Sequence, residues 1–162
     1  MKRPMIHLMV GIPYSGKSTY IRNQKALSAL TVVDTDSFIE KRAKELGTSY
    51  GAIFDCMIGE ATELRDWKVD IAIKKDRSFV VDQTNLTKAG RAYWVELAQK
   101  HRYNITAYVF ALPTDEAQLL ARREARADKL IPIGVLAEMI SSFEAPDEEE
   151  GFTSIVHIDG YA

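Results

Sequence analysis

The chain has 162 residues, 46% apolar and 27% charged, the balance expected of one soluble globular domain with a real core. Its net charge of −2 excludes a general attraction for nucleic acid, so any polyanion contact has to come from a local basic patch such as KKDR (74–77) or RREAR (122–126). No apolar run approaches the ~20 residues that span a bilayer, and the single cysteine, Cys56, excludes an internal disulfide and suits a reducing compartment.

The opening stretch MKRPMIHLMV starts with two basic residues, but its apolar part is short and runs straight into a glycine loop. No small-residue cleavage site precedes the loop, so no signal peptide is expected; a cytoplasmic location without a membrane partner is. Runs rich in Val, Ile and aromatics at 5–10, 30–34, 78–82, 105–112 and 154–158 have the length of strands. Several are apolar with almost no alternation, the pattern of strands covered on both faces.

Helical candidates lie between them, at 17–28, 36–46, 52–75, 88–101, 114–127 and 132–143. In the longest, Ile53, Met57, Ala61, Leu64, Trp67 and Ile71 recur at three and four and predict the face turned to the core, with Cys56 as a small core residue. Alternating β and α units predict an α/β class. The expected architecture is a three-layer P-loop NTPase fold, a mostly parallel five-stranded sheet flanked by helices, in one domain over 1–162 with a helical lid at about 114–131.

The stretch GIPYSGKST (11–19) fits G-x-x-x-x-G-K-[ST]. Gly11, Ser15 and Gly16 allow the tight turn that aims consecutive N–H groups at phosphate oxygens. Lys17 reaches the β- and γ-phosphates, Ser18 offers a hydroxyl to Mg²⁺, Thr19 adds a phosphate contact, and the helix that follows turns its positive end to the anion. A buried-looking strand before the motif and an amphipathic helix after it set this apart from a chance glycine turn.

No N-K-x-D stretch specifies guanine, and no apolar run ends in the acidic pair of a motor-type ATPase. SFVVDQTN ends instead in a lone Asp82, placed to hold Mg²⁺ directly or through water, as in small P-loop kinases. Phosphoryl transfer to a hydroxyl also needs a base and cations for the γ-phosphoryl charge. Asp36, in VVDTDSF just beyond the second strand, is the candidate base, with Asp34 its competitor. Asp34 to Ser37 are also natural helix caps, and Ser37-x-x-Glu40 reads as a capping box, so spacing alone leaves Asp36 open between base and cap. Arg122 and Arg126, four apart, share a helix face and are the candidate cations, against the alternative of a solvated helix balanced by Glu124 and Asp128. His7, Trp67 and the methionines read as structural, His101 as a helix-end residue, and PDEEEG (146–151) as a solvated turn, with a negative guard as a second reading.

GIPYSGKST, Thr35-Asp36, DQTNLTKAGR and ARREARADKLIPIGVLAEM occur in an order that resembles the kinase domain of phage-type polynucleotide 5′-hydroxyl kinases, a P-loop kinase, AAA-type ATPase-like family, over residues 4 to 144. The resemblance implies ATP and Mg²⁺ as cofactors, Lys17 and Ser18 at the phosphates and metal, and Asp36 as general base on a nucleic acid 5′-hydroxyl. It implies Arg122 and Arg126 as lid arginines, and places Asp82, Thr84, Asn85 and Arg91 on the family's D-x-T-N-and-arginine element, read as substrate-binding.

Two features depart from the family. No D-x-D-G-T phosphatase element is present, which predicts a kinase-only form working beside a separately encoded phosphatase or ligase. Where the family has an arginine three residues past the catalytic Asp, this chain has Ile39; the grip on the acceptor phosphate is then absent or supplied elsewhere, with KKDR as the candidate. A kinase of a small-molecule or nucleoside hydroxyl, and a nucleotide-binding regulatory module without transferase chemistry, are the alternative readings.

Overall fold

The computed structural model describes residues 2–161. Five strands, β1 (Met5–Val10), β2 (Thr31–Val33), β3 (Phe79–Val81), β4 (Asn104–Phe110) and β5 (Ser154–Ile158), form one sheet in the order β2-β3-β1-β4-β5. Every neighbouring pair is parallel, so the sheet is wholly rather than mostly parallel. The central strands are apolar on both faces because helices cover both. Ile6, Leu8, Val10, Val33, Phe79 and Val81 pack with Val69, Ala72, Trp94 and Val95 of α4 (Tyr50–Lys74) and α5 (Lys88–His101). Met9, Val80 and Phe110 pack with Ile21 of α1 (Lys17–Asn23) and Leu27 of α2 (Lys25–Ser28) on the other side. This is the three-layer P-loop NTPase architecture.

The order of strands decides where the chemistry gathers. Val33, Val81 and Leu8 lie side by side across β2, β3 and β1. Just past their ends the chain reaches Asp34–Asp36, Asp82 and the glycine loop, so three motifs far apart in sequence share one edge of the sheet. Helix α3 (Asp36–Glu45) starts there, and α6 (Glu116–Glu124) covers it with Arg122, with α7 (Ile133–Ser142) following in the chain. Leu119 of α6 anchors this cover through Ile12 and Leu86. No described helix is long and apolar enough to cross a membrane.

Several expectations are corrected. The helix expected over 17–28 breaks at Gln24, whose extended backbone (φ −99°, ψ 108°) starts α2 on a new axis and lets Leu27 into the core. On α4 the buried positions are Ala61, Val69 and Ala72, small residues that allow close approach to the sheet, while Trp67 is 59% exposed and Cys56 is exposed. PDEEEG is not a free turn: Asp147 and Glu150 form a capping box on a 3₁₀ turn (Glu148–Glu150). KKDR follows α4 into the start of β3, at the sheet edge opposite the crevice, so it cannot serve an acceptor there. His7 is structural, its Nδ1 paired with the Tyr108 hydroxyl at 2.8 Å and its pKa lowered by burial.

Candidate functional site

The loop after β1 turns on Gly16, whose φ of 96° is the left-handed region that other residues enter only at a cost. Tyr14 enters the same region (φ 67°), held there because its hydroxyl is committed across the crevice. That hydroxyl donates to the Lys129 carbonyl at 2.5 Å and accepts from the Ile131 N–H at 3.0 Å. The phosphate loop thus fastens the segment between α6 and α7. On the loop's other side a Cβ at Gly160 would lie 2.2 Å from the Ser15 carbonyl oxygen, so only glycine lets the chain after β5 press this close.

Inside the loop, the Lys17 ammonium donates to the Gly11 and Ile12 carbonyls at 2.8 and 2.7 Å. Among the described residues Lys17 makes no ion pair. Burial pulls its pKa down to about 8, a shift that nearby Asp82 and Asp36 oppose. The Ser15 hydroxyl is buried and has no hydrogen-bond partner among the described residues. A buried ammonium held only by carbonyls and an unpartnered hydroxyl form a cradle whose charge and donors suit an anion.

The Ser18 hydroxyl donates to Asp82 Oδ2 at 2.7 Å. A hydroxyl beside one carboxylate fits Mg²⁺, which keeps several waters and takes few protein oxygens, the rest coming from substrate phosphates. No group of three or more His, Cys, Asp or Glu among the described residues could enclose a metal ion. The Thr84 carbonyl accepts from the Gly11 N–H at 2.9 Å, and Thr84 lines the crevice. Asn85, in the left-handed region (φ 47°), donates its side-chain amide to the Met9 carbonyl at 2.8 Å. Its amide braces the element against β1.

Arg91 is the clear displacement from expectation. Read in sequence as a substrate-binding arginine, it is 0% exposed. Its Nε and NH2 meet the two Glu150 oxygens at 2.8 and 3.1 Å, and NH1 donates to the Asn85 carbonyl at 3.0 Å. No side of the guanidinium is left for a substrate.

Asp36 opens α3 without capping it. The N-cap is Thr35, with no side-chain cap hydrogen bond, and the Ser37 hydroxyl donates to Asp34, so the expected capping box is absent. Burial raises the Asp34 pKa, partly offset by that hydroxyl. Asp36 Oδ1 accepts from the Tyr50 hydroxyl at 2.7 Å and Oδ2 from the Lys129 ammonium. Burial and Asp36 together push the Tyr50 pKa up, holding the phenol neutral as a donor.

Arg122 donates to the Tyr14 carbonyl at 3.0 Å and the Gly160 carbonyl at 2.5 Å, with its guanidinium 4.1 Å from the Tyr161 ring centroid. Arg126 meets Glu40 at 2.5 Å and Asp128 at 3.1 Å. Exposed Thr19 accepts from Arg22 at 3.2 Å.

Lys17, Ser18, Thr19, Asp36, Asp82, Thr84, Arg122 and Arg126 all line one crevice of about 1000 Å³. The sequence reading missed Tyr14, Tyr50 and Lys129. Only proximity in space reveals them: the Tyr14 contacts span 115 and 117 positions, and Lys129 lies 93 positions from Asp36.

Comparison with known proteins fits this geometry. The bifunctional polynucleotide phosphatase/kinase of Schizosaccharomyces pombe is 27% identical over 159 residues, covering 94% of this chain and 33% of that protein. The chain therefore spans about a third of that relative's length. A solved structure from Chloroflexus aurantiacus superposes with a TM-score of 0.72 at 16% identity, over 98% of this chain and 86% of that one. A gluconokinase structure from Sinorhizobium meliloti does so at 0.56 and 17%, over 99% and 86%. At these identities the likeness establishes the fold, that of P-loop kinases. The AAA domain family matches residues 6–146, most of the sequence, and the chain belongs to that family.

Proposed function

We propose that the chain is an ATP-dependent, Mg²⁺-requiring polynucleotide kinase that transfers the γ-phosphoryl group of ATP to the 5′-hydroxyl of DNA or RNA. The observation that carries this reading is one crevice lined both by an anion cradle, built on Lys17 and Ser18, and by the carboxylate of Asp36. The kinship with the S. pombe polynucleotide phosphatase/kinase supports the choice of acceptor.

In this reading the Lys17 ammonium leaves the Gly11 and Ile12 carbonyls for the β- and γ-phosphates, and Arg122 and Arg126 turn to the same oxygens from a lid spanning about 114–131. Ser18 and Asp82 would hold Mg²⁺, directly or through water, and the ion would neutralise phosphate charge there. Asp36 accepts the proton of the 5′-hydroxyl, whose oxygen bonds to the γ-phosphorus as the bond to the β-γ bridging oxygen breaks, leaving ADP. The Asp36 side chain is 41% exposed and lines the crevice. A cytoplasmic location and a separately encoded phosphatase or ligase partner belong to the same reading.

Incubation with γ-labelled ATP and three acceptor pools tests it: 5′-hydroxyl oligonucleotides, nucleosides, and small-molecule hydroxyls. Label entering the oligonucleotides is the expected result. Label only in small molecules makes the chain a small-molecule kinase. No label, with nucleotide still bound, makes it a regulatory module.

A further inference from the structure

The base of the proposed reaction is not free. Tyr50 holds one oxygen of Asp36 and Lys129 the other. The two donors differ in kind. The phenol is neutral and sits on α4, the longest helix, where it stays as an orienting group. The ammonium comes from the segment between α6 and α7 and competes with an incoming hydroxyl for Oδ2.

Lys129 is also expensive to strand. Its side chain is 11% exposed and its ammonium lies 5.0 Å from the Tyr50 ring centroid. The other carboxylate nearby on α3, Glu40, is already taken by Arg126. Leaving Asp36 would therefore bury an ammonium without a counterion unless an anion replaces the carboxylate. A neutral acceptor brings no such anion. An acceptor with a phosphate next to its hydroxyl does, and Ile39, on the same helix as Asp36, is fully buried and offers no charge. The backbone need not move for the exchange, because the Tyr14 hydroxyl pins residues 129 and 131 to the phosphate loop.

We propose that Lys129 is an exchangeable latch on Asp36: the acceptor's own phosphate draws the ammonium off the carboxylate, so one event grips the acceptor and uncovers the base. The assignment rests on the kinase reading above.

The test compares a nucleoside with its 3′-phosphate at saturating ATP, in wild type, Lys129→Met and Lys129→Arg. Wild type is expected to favour the phosphorylated acceptor by roughly 30-fold or more in kcat/KM, from a charge pair made with the substrate. In Lys129→Met that preference should collapse to about threefold, mainly through a raised KM for the phosphorylated acceptor. Lys129→Arg should restore most of the preference, which a purely structural role would not require. An unchanged preference in Lys129→Met overturns the latch, as does an equal loss on both acceptors. If wild type labels only small-molecule hydroxyls, the polynucleotide reading fails, and the latch is then decided by the same comparison between a sugar and its phosphate.

Discussion

Arg91 and Lys17 are both buried cations, and the contrast between them separates framework from chemistry. Arg91 has a complete set of partners: two carboxylate oxygens of Glu150 and the Asn85 carbonyl. Its charge is matched inside the protein, and it ties α5 to the 3₁₀ turn that leads into β5. Lys17 has only the carbonyls of Gly11 and Ile12, and burial lowers its pKa. A buried charge without a counterion costs stability, and such a cost concentrates at sites that await a ligand of the opposite sign. Arg91 stabilises the fold by being satisfied, whereas Lys17 is available to phosphate because it is not.

The sharpest way to break the contrast is to remove both charges in turn. Lys17→Met should cut phosphoryl transfer by roughly 10²–10³-fold or more, as one charge-stabilising donor is lost. It also removes an uncompensated buried charge, so its melting temperature at pH 7 should be no lower than that of wild type. Transfer rates and thermal unfolding on the same preparation check both halves, and a lower melting temperature would mean that the ammonium–carbonyl contacts hold the loop together.

Glu150→Ala should do the reverse. It strands the Arg91 guanidinium at 0% exposure, a change of the kind that costs about 3–5 kcal/mol. For a domain of this size that lowers the melting temperature by about 10 °C. Turnover per folded molecule should stay within about threefold, since Glu150 lies outside the crevice. A much larger loss of turnover in fully folded protein would return Arg91 to the substrate.

This contrast also marks where sequence reading succeeds. GIPYSGKST reports its own geometry because a phosphate loop is local: the glycines, lysine and serine act within eight residues of one another. The strands were readable for a similar reason, since continuous Val/Ile runs record cover on both faces. Arg91 was not readable, because its partner is 59 residues away and an arginine after D-x-T-N looks the same whether it meets a carboxylate or a substrate. PDEEEG looked solvated for the matching reason; it holds the other half of that pair. On α4 the apolar spacing ran near the true face, but the sheet accepted Ala61, Val69 and Ala72 and left the bulkier Trp67 outside. The Tyr50–Asp36–Lys129 cluster needs three elements at once, and no spacing rule joins them.

The smallest effect sharpens the comparison most directly, because it reads Lys17 without changing it. In the folded protein Lys17 titrates near 8, against ~10.4 in an unfolded chain. Between these values the unfolded chain binds more protons, so this group makes the fold gain stability as pH rises from about 8 towards 10. Phosphates placed against the ammonium favour its charged form and raise its pKa. Nucleotide binding should then take up close to one proton at pH 9, where the free site has lost it, and close to none through this group at pH 7. Titration calorimetry of the whole chain with Mg²⁺ and a non-hydrolysable ATP analogue, in two buffers of different ionisation enthalpy, measures that uptake. No uptake at pH 9 would mean that Lys17 keeps its proton without a phosphate, and the distinction from Arg91 would then rest on geometry alone.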